Sequence, residues 1–327
     1  MQHLIIGGSG FLGSELTKAL LARNQNVVIV DCIAPNLRNS NKMRYIELDI
    51  TNAESLFNVP LETGDIVYHL AARQYHLQVP SRRNRSNFFD SVNVDGTRNV
   101  LHWMELQQCR KLIYFSTDMV YGYPRQLPVP PTHTQEPIGE YGNSKRASEA
   151  ICLQYRKKGF NITIFRPRLI VGPGRLGVLQ KLFGLIAKGW PVPLIGNGKN
   201  QYQMISVFDC VSAILCAVEK GLPNQEFNLG SSDPPQVDVL LHKLIDRAGS
   251  KSILLRMPGT LIKDVLDHLD RVGMTVLYPE QFSIADRDYL VDTESTQKTL
   301  CWKPQYSDED MMYSAFSEYL IMKNNEK

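Results

Sequence analysis

The chain has no cysteine pair spaced C-x-x-C and no cysteine beside a histidine at ligand spacing. Its six cysteines, Cys32, Cys109, Cys152, Cys210, Cys216 and Cys301, are scattered. Neither a metal site nor a disulfide framework is therefore expected. Most of them fall inside apolar runs, as small buried hydrophobes do. No apolar run approaches the length of a membrane span. Strand-forming residues follow Met1 directly in MQHLIIGGSG, so no signal peptide is expected. A reducing cytoplasm fits these absences. Charge of one sign is also missing: the net charge of +3 argues for neither nucleic acid nor a membrane as partner. The one basic cluster, SRRNRS at Ser81–Ser86, reads as a solvated loop ahead of a phosphate contact. Repeats and low-complexity tracts are absent.

What is present is a strand–helix rhythm. At 327 residues the chain can bury a large core, as one big domain or two smaller ones. Short β-branched runs at His3–Gly7, Val27–Asp31, Met43–Asp49, Asp65–Ala71, Lys111–Ser116 and Ile162–Pro167 read as strands. Their near-continuous hydrophobicity suggests burial on both faces, as in a parallel sheet. Helix patterns at Phe11–Arg23, Asn87–Gln107 and Tyr141–Lys158 lie between them. The alternation predicts an α/β fold built on a doubly wound parallel sheet. After Pro167 the rhythm changes to Gly- and Pro-rich loops around a helix at Val178–Lys188. A helix at Phe208–Lys220 and a strand at Glu226–Gly230 would return to the sheet. From about Ser231 a mixture of short helices and turns would form a smaller lobe. The expected division is residues 1–170, with 200–230 returning to the sheet, against 171–199 and 231–327.

The segment GGSGFLG carries Gly7, Gly10 and Gly13 between the first strand and the first helix. Gly7 and Gly10 would let the backbone turn tightly and approach a pyrophosphate, and Gly13 would let helix and sheet pack closely. Asp31 ends the second strand, where a carboxylate can accept hydrogen bonds from a ribose diol and repel a 2′-phosphate. NAD is therefore expected over NADP, with Arg38 as the residue that could soften the preference. Asp49 could hold the adenine amine, or Asp49–Thr51 could cap a helix. A second pattern is YGNSK, with Tyr141 and Lys145 one helical turn apart on one face. An unperturbed tyrosine titrates near ~10 and is a poor base at neutral pH, but a neighbouring ammonium favours the phenolate. Alone, such a pair is a solvated i,i+4 contact. Following a strand that ends STD, in a chain with a dinucleotide loop, it reads as a proton-transfer pair.

Taken in order, these motifs resemble the extended short-chain dehydrogenase/reductase family, in its NAD-dependent epimerase/dehydratase branch. The resemblance covers most of the chain: GGSGFLG, Asp31, Asp49–Ile50, HLAA at His69–Ala72, NVDGTRNVL at Asn93–Leu101, STDMVYG at Ser116–Gly122, Y-x-x-x-K, RPRLIVGPG at Arg166–Gly174, SVFDCVSAI, FNLG and LCWKP. It implies a Rossmann-type domain with a C-terminal substrate lobe, and NAD held by Gly7, Gly10, Phe11, Leu12 and Gly13. Asp31, Asp49 and Ile50, then Leu70, Ala71 and Ala72, are implied further along the cofactor. Asn93, Ser116 and Pro167 are implied nearby, with Tyr141 and Lys145 at the nicotinamide end. Tyr141, Lys145, Thr117 and Asp118 are the implied catalytic set. A homodimer through Asn87–Gln107 and Tyr141–Lys158 is also implied.

Three departures bear on the reaction. Family dehydratases carry Thr-Asp-Glu where this chain has Thr117, Asp118 and Met119, so the base for elimination is missing and 4,6-dehydration is disfavoured. Asp118 could equally be a cap or turn residue. Leu169 replaces the usual substrate-contacting Asn, and Gln201 and Tyr202 stand near the position of a usual phosphate-binding arginine. Arg168, Arg175 or Arg82–Arg85 could supply that contact, although each is more often a surface residue. The expected function is an NAD-dependent epimerase or oxidoreductase acting on a secondary alcohol or ketone of a nucleotide sugar. The alternatives are a dehydrogenase of a steroid-like or other hydroxy substrate, and a dinucleotide-binding protein without catalysis.

Overall fold

The computed structural model describes residues 1–38, 40–75, 80–174, 176–177 and 179–325. The first half runs β1 (His3–Ile6), α1 (Phe11–Ala22), β2 (Val27–Asp31), β3 (Met43–Glu47), α2 (Ala53–Leu56), β4 (Ile66–His69), α3 (Arg85–Asp90), α4 (Thr97–Leu106) and β5 (Lys111–Phe115). It continues through α5 (Glu140–Lys157), β6 (Asn161–Pro167), β7 (Leu169–Val171), α6 (Leu179–Ala187), β8 (Val192–Ile195), β9 (Met204–Ser206), α7 (Val207–Glu219) and β10 (Glu226–Leu229). The C-terminal part holds α8 (Val237–Arg247), β11 (Leu254–Met257), α9 (Gly259–Arg271), α10 (Pro279–Phe282), α11 (Glu294–Leu300) and α12 (Asp308–Asn325).

Among the described residues, seven strands form one sheet in the order β3-β2-β1-β4-β5-β6-β10, and every pairing within it is parallel. Alternate residues of each strand enter opposite cores, which is why the strands look apolar throughout. Ile5, Ile29, Tyr68 and Ile113 pack with Leu16 of α1 and Ile214 of α7. Leu4, Val28, Val67 and Leu112 pack with Trp103 of α4 and Ile151 of α5 on the other side. The chain leaves β1 toward β2 and β3, then crosses back to β4. The carboxyl ends of β1 and β4 therefore flank a topological switch point, where a doubly wound sheet opens a crevice.

Several expectations are revised. The single helix at Asn87–Gln107 is α3 and α4 joined through a π-helical stretch, Ser91–Gly96. Such a stretch inserts an extra residue per turn and is not visible in apolar periodicity. Arg85 lies in no solvated loop: it opens α3, is buried, and binds Asp270 through two guanidinium nitrogens at 2.5 and 2.9 Å. The region after Ser231 holds long helices, α8, α9 and α12, besides short ones. α8 and α12 pack with α6 and β8 into a core of their own, including Phe183, Val192, Leu241, Met312 and Phe316. Of the cysteines, Cys109, Cys152 and Cys210 are buried, Cys216 is half-buried, and Cys32 and Cys301 are exposed. Among the described residues no group of His, Cys, Asp or Glu is arranged to hold a metal, and no helix is long and apolar enough to cross a membrane.

Candidate active site

A groove of about 400 Å³ occupies the switch point. Its first wall is the turn from β1 into α1. Gly7 has φ +82°, a conformation side chains rarely adopt, and a Cβ there would stand 2.5 Å from the Ala71 nitrogen. A Cβ at Gly13 would run into the Gly7 carbonyl oxygen and the Gly8 backbone, so α1 sits on the turn only because both positions lack side chains. Gly10 caps α1 without a side-chain hydrogen bond, which leaves the helix's positive end facing the groove with Phe11 and Leu12. This backbone cradle is the shape that a pyrophosphate needs.

Asp31 closes the far end. Its Oδ2 accepts the Ser9 N–H at 3.0 Å, and burial pushes its carboxyl upward from the ordinary value against the lowering effect of that bond. Asp49, Ile50, Leu70, Ala71 and Ala72 line the same groove, whereas Arg38 is exposed and is not in its wall. Asp49 turns its Oδ1 to the Thr51 N–H at 2.9 Å, and the cap of α2 is Asn52, which settles the capping alternative against Asp49–Thr51. Asn93 stands behind the wall. Its Oδ1 accepts the Arg73 N–H at 2.8 Å while its amide donates to Ser144 Oγ at 2.9 Å, so it braces the loop after β4 against α5.

α5 places Tyr141 and Lys145 on its buried face, and both line the groove. Lys145 donates to the Phe115 carbonyl at 2.6 Å and lies 4.3 Å above the Tyr114 ring. Complete burial pulls its ammonium down to about 7, with smaller opposing contributions from Cys152 and Glu149. The Tyr141 ring sits 5.7 Å from Phe89 and 6.2 Å from Tyr75.

A second cavity of about 150 Å³ begins where the groove ends. Tyr141 and Ser116 line both spaces, and Thr117, Asp118 and Pro167 line the second. Thr117 Oγ1 accepts the Met119 N–H at 3.2 Å and so caps the short 3-10 turn Asp118–Val120, while standing 3.3 Å from Asp118 Oδ1. Asp118 is therefore not the cap. It is paired with Arg168, and the pair is buried. The Arg168 guanidinium lies between the rings of Tyr289 at 4.1 Å and Tyr202 at 4.5 Å, while Tyr289 Oη donates to the Asp118 carbonyl at 3.1 Å. The expectation of Arg168 as a surface residue fails because Asp118 and two rings compensate its charge inside the protein. Arg175 lies outside the described residues. Arg82 and Arg83 are exposed, whereas Arg85 is committed to Asp270.

Sequence reasoning missed Tyr75, Tyr289 and Glu280. Each reaches the site from a segment with no motif. Glu280 and Tyr289 hydrogen-bond to residues 138 and 171 positions earlier in the chain, and no local spacing signals them.

The fold and groove are those of a dinucleotide-dependent enzyme. The model of the NAD dependent epimerase/dehydratase family matches residues 3–230, and the chain belongs to that family, whose cofactor is NAD. An uncharacterized protein of Sinorhizobium fredii is 29% identical over 97% of this chain and 78% of its own. The UDP-N-acetyl-alpha-D-glucosaminuronate decarboxylase of Bacillus cytotoxicus is 28% identical over 78% of this chain and 83% of its own. In fold the chain is similar to the UDP-glucose 4-epimerase of Thermotoga maritima, with TM-score 0.79 and 24% identity over 99% of this chain and 100% of that one.

Proposed function

We propose that this protein is an NAD-dependent epimerase or oxidoreductase acting on a secondary alcohol or ketone of a nucleotide sugar. The observation that carries the reading is the position of Tyr141 at the junction of the two cavities, with Lys145 one turn along the same buried face. When bound, NAD supplies the hydride acceptor. Gly7, Gly10, Phe11, Leu12 and Gly13 would hold its pyrophosphate, and Asp31 its adenosine ribose. Asp49, Ile50, Leu70, Ala71, Ala72 and Ser116 would flank it, with Pro167 at the substrate side. Tyr141 Oη takes the proton from a substrate hydroxyl in the second cavity and returns it in the reverse direction. Lys145 contributes the neighbouring positive charge, and Thr117 orients the same hydroxyl.

Asp118 and Met119 argue against elimination. One carboxylate is already occupied by Arg168, and the adjacent position has no carboxylate at all. That leaves Tyr141 as the group able to move a proton, which suits oxidation and reduction at one carbon. The names of the relatives, a nucleotide-sugar decarboxylase and a nucleotide-sugar epimerase, favour a nucleotide sugar. A second reading, a dehydrogenase of an apolar hydroxy substrate, draws on Leu169, Ile170, Leu176 and Leu179 in the wall of the second cavity. The division into a dinucleotide domain at 1–170 with 200–230, and a substrate lobe at 171–199 and 231–327, belongs to this proposal. So does a homodimer through Asn87–Gln107 and Tyr141–Lys158, where Leu106, Ala150 and Leu153 are exposed.

The test is mass spectrometry of small molecules released from the purified protein, followed by turnover of UDP-glucose, UDP-glucuronic acid and dTDP-glucose. An epimerase retains its cofactor and shows no net change in NADH absorbance. A dehydrogenase changes it, and conversion of a steroid alcohol instead of every sugar would move the assignment to the second reading.

A further inference from the structure

The helix that presents Tyr141 has an unusual start. Its cap residue, Gly139, offers no side chain, although α5 is 18 residues long and its first turn carries the proposed catalytic group. The carboxylate that satisfies this turn comes from the other end of the chain. Glu280 of α10 accepts the Gly142 N–H at 3.3 Å through Oε2, and also meets the Tyr141 N–H. The fit is tight: a Cβ on Gly139 would stand 2.7 Å from the Glu280 carboxyl carbon, and one on Gly142 would stand 2.7 Å from the Met119 carbonyl oxygen. Glycine at both positions is therefore what lets the first turn slide between the Met119 turn and the C-terminal lobe.

The rest of this segment is fastened to the same region. Tyr278 stacks on Tyr75 with ring centres 3.4 Å apart, and Arg85 lies over the Tyr278 ring at 5.1 Å while holding Asp270 in its fork. Tyr75, Phe89, Tyr141 and Tyr278 form one aromatic cluster, and Gln281 lines the second cavity. The span from Asp270 to Phe282 thus lies along α3, the loop after β4 and the start of α5.

We propose that Glu280 is a positioning residue that latches the C-terminal lobe onto the first turn of α5 and so fixes Tyr141 at the junction of the two cavities. The inference rests on Tyr141 being the proton-transfer group. Glu280 acts through the backbone of that helix, as a borrowed cap at its positive end.

The latch responds to pH. Burial raises the Glu280 carboxyl from 4.5 to about 6, against hydrogen bonds from Tyr75 and from the Gly142 and Tyr141 N–H groups, and with a small further push from Glu140. Arg85 acts on the neighbouring Tyr75 and Tyr278. Because the docked carboxyl holds its proton more tightly than a released one, docking is strongest at low pH. It weakens as pH rises from about 4.5 through about 6, and is then constant. The difference of about 1.5 pH units corresponds to a roughly thirtyfold change in the opening equilibrium.

Amide hydrogen exchange on the whole chain tests this, with rates corrected for intrinsic exchange. In the wild type, protection of the first-turn amides of α5 falls roughly fifteenfold between pH 4.5 and 7.5, where the released carboxyl is already half ionised at the lower end. Glu280→Gln, which keeps an acceptor oxygen and has no titrating proton, shows protection that is independent of pH. Glu280→Ala loses protection at every pH while the amides of β1 and β4 stay protected, which controls for folding. With whichever of UDP-glucose, UDP-glucuronic acid or dTDP-glucose the wild type converts, Glu280→Ala lowers kcat about tenfold and leaves KM within a factor of two, and Glu280→Gln restores kcat. An unchanged pH dependence in Glu280→Gln, or unchanged protection in Glu280→Ala, overturns the latch. Tyr141→Phe leaves the amide pattern intact and lowers kcat about 10³-fold, so the catalytic reading and the latch fail separately.

Discussion

The groove and the second cavity meet at Tyr141 but are built in different ways. The groove's pyrophosphate end is made of backbone, with three glycines and the open end of α1 beside the strand ends of β1 and β2. The groove's acidic members, Asp31 and Asp49, bind neighbouring N–H groups within their own turns or across one strand. The cavity is lined by side chains from distant segments, among them Thr117, Asp118, Arg168 and Tyr202, with the buried Asp118–Arg168 pair in its wall and Tyr289 packed against that arginine. A backbone cradle suits a ligand that is the same across a family. A cavity assembled from side chains can change its occupant by substitution, and the departures at Met119 and Leu169 fall there.

This contrast can be broken most sharply at the shared residue. Tyr141→Phe removes the proton carrier and should lower kcat about 10³-fold, with a far smaller change in NAD affinity in a binding titration. A comparable loss of NAD binding would mean that the two spaces are not separable. The next effect in size belongs to the cavity. Arg168→Met leaves Asp118 buried without its partner and should destabilise by about 4 kcal/mol in urea unfolding. Arg168→Met with Asp118→Leu removes both charges and should recover most of that loss. If the single and double variants are equally unstable, the pair is not what holds this wall.

Lys145 tests the groove. Its ammonium is pulled from 10.5 to about 7 by burial, so the unfolded chain binds a proton that the folded one gives up between those values. The cost of burying the charge is full below about pH 7 and shrinks as pH rises toward 10.5. Lys145→Met should therefore stabilise the fold by about 2 kcal/mol at pH 6 and less at pH 9, while losing activity. A destabilised variant at pH 6 would mean that the Phe115 carbonyl and the Tyr114 ring outweigh the lost hydration. The smallest effect is on cofactor choice. Asp31→Ser removes the carboxylate that disfavours a 2′-phosphate and should narrow the preference for NAD over NADP about tenfold in a binding comparison. An unaltered ratio would move that discrimination elsewhere in the groove.

The same contrast explains what could be seen from the residues alone. Gly7, Gly13, Asp31, Tyr141 and Lys145 lie in short segments whose spacing follows from a strand, a tight turn and one helical turn, and all of them line the groove. Asn93 was singled out only by the family resemblance, and its role as a brace between Arg73 and Ser144 depends on how α5 packs. Arg85 and Arg168 were misjudged for one reason. An arginine is ordinarily exposed, and only a carboxylate brought from Asp270 or Asp118 makes its burial tolerable.

Periodicity along the chain determined the parallel sheet, the glycine turn and the tyrosine–lysine face, because backbone geometry repeats over two to four residues and leaves its trace in neighbouring side chains. Tertiary structure alone decided that Asp118 meets Arg168 and that Glu280 caps α5. Such pairings join segments 50 and 138 residues apart, and no local rule of strand or helix relates them. They exist because packing leaves a buried charge or an open helix end that some other part of the chain must satisfy.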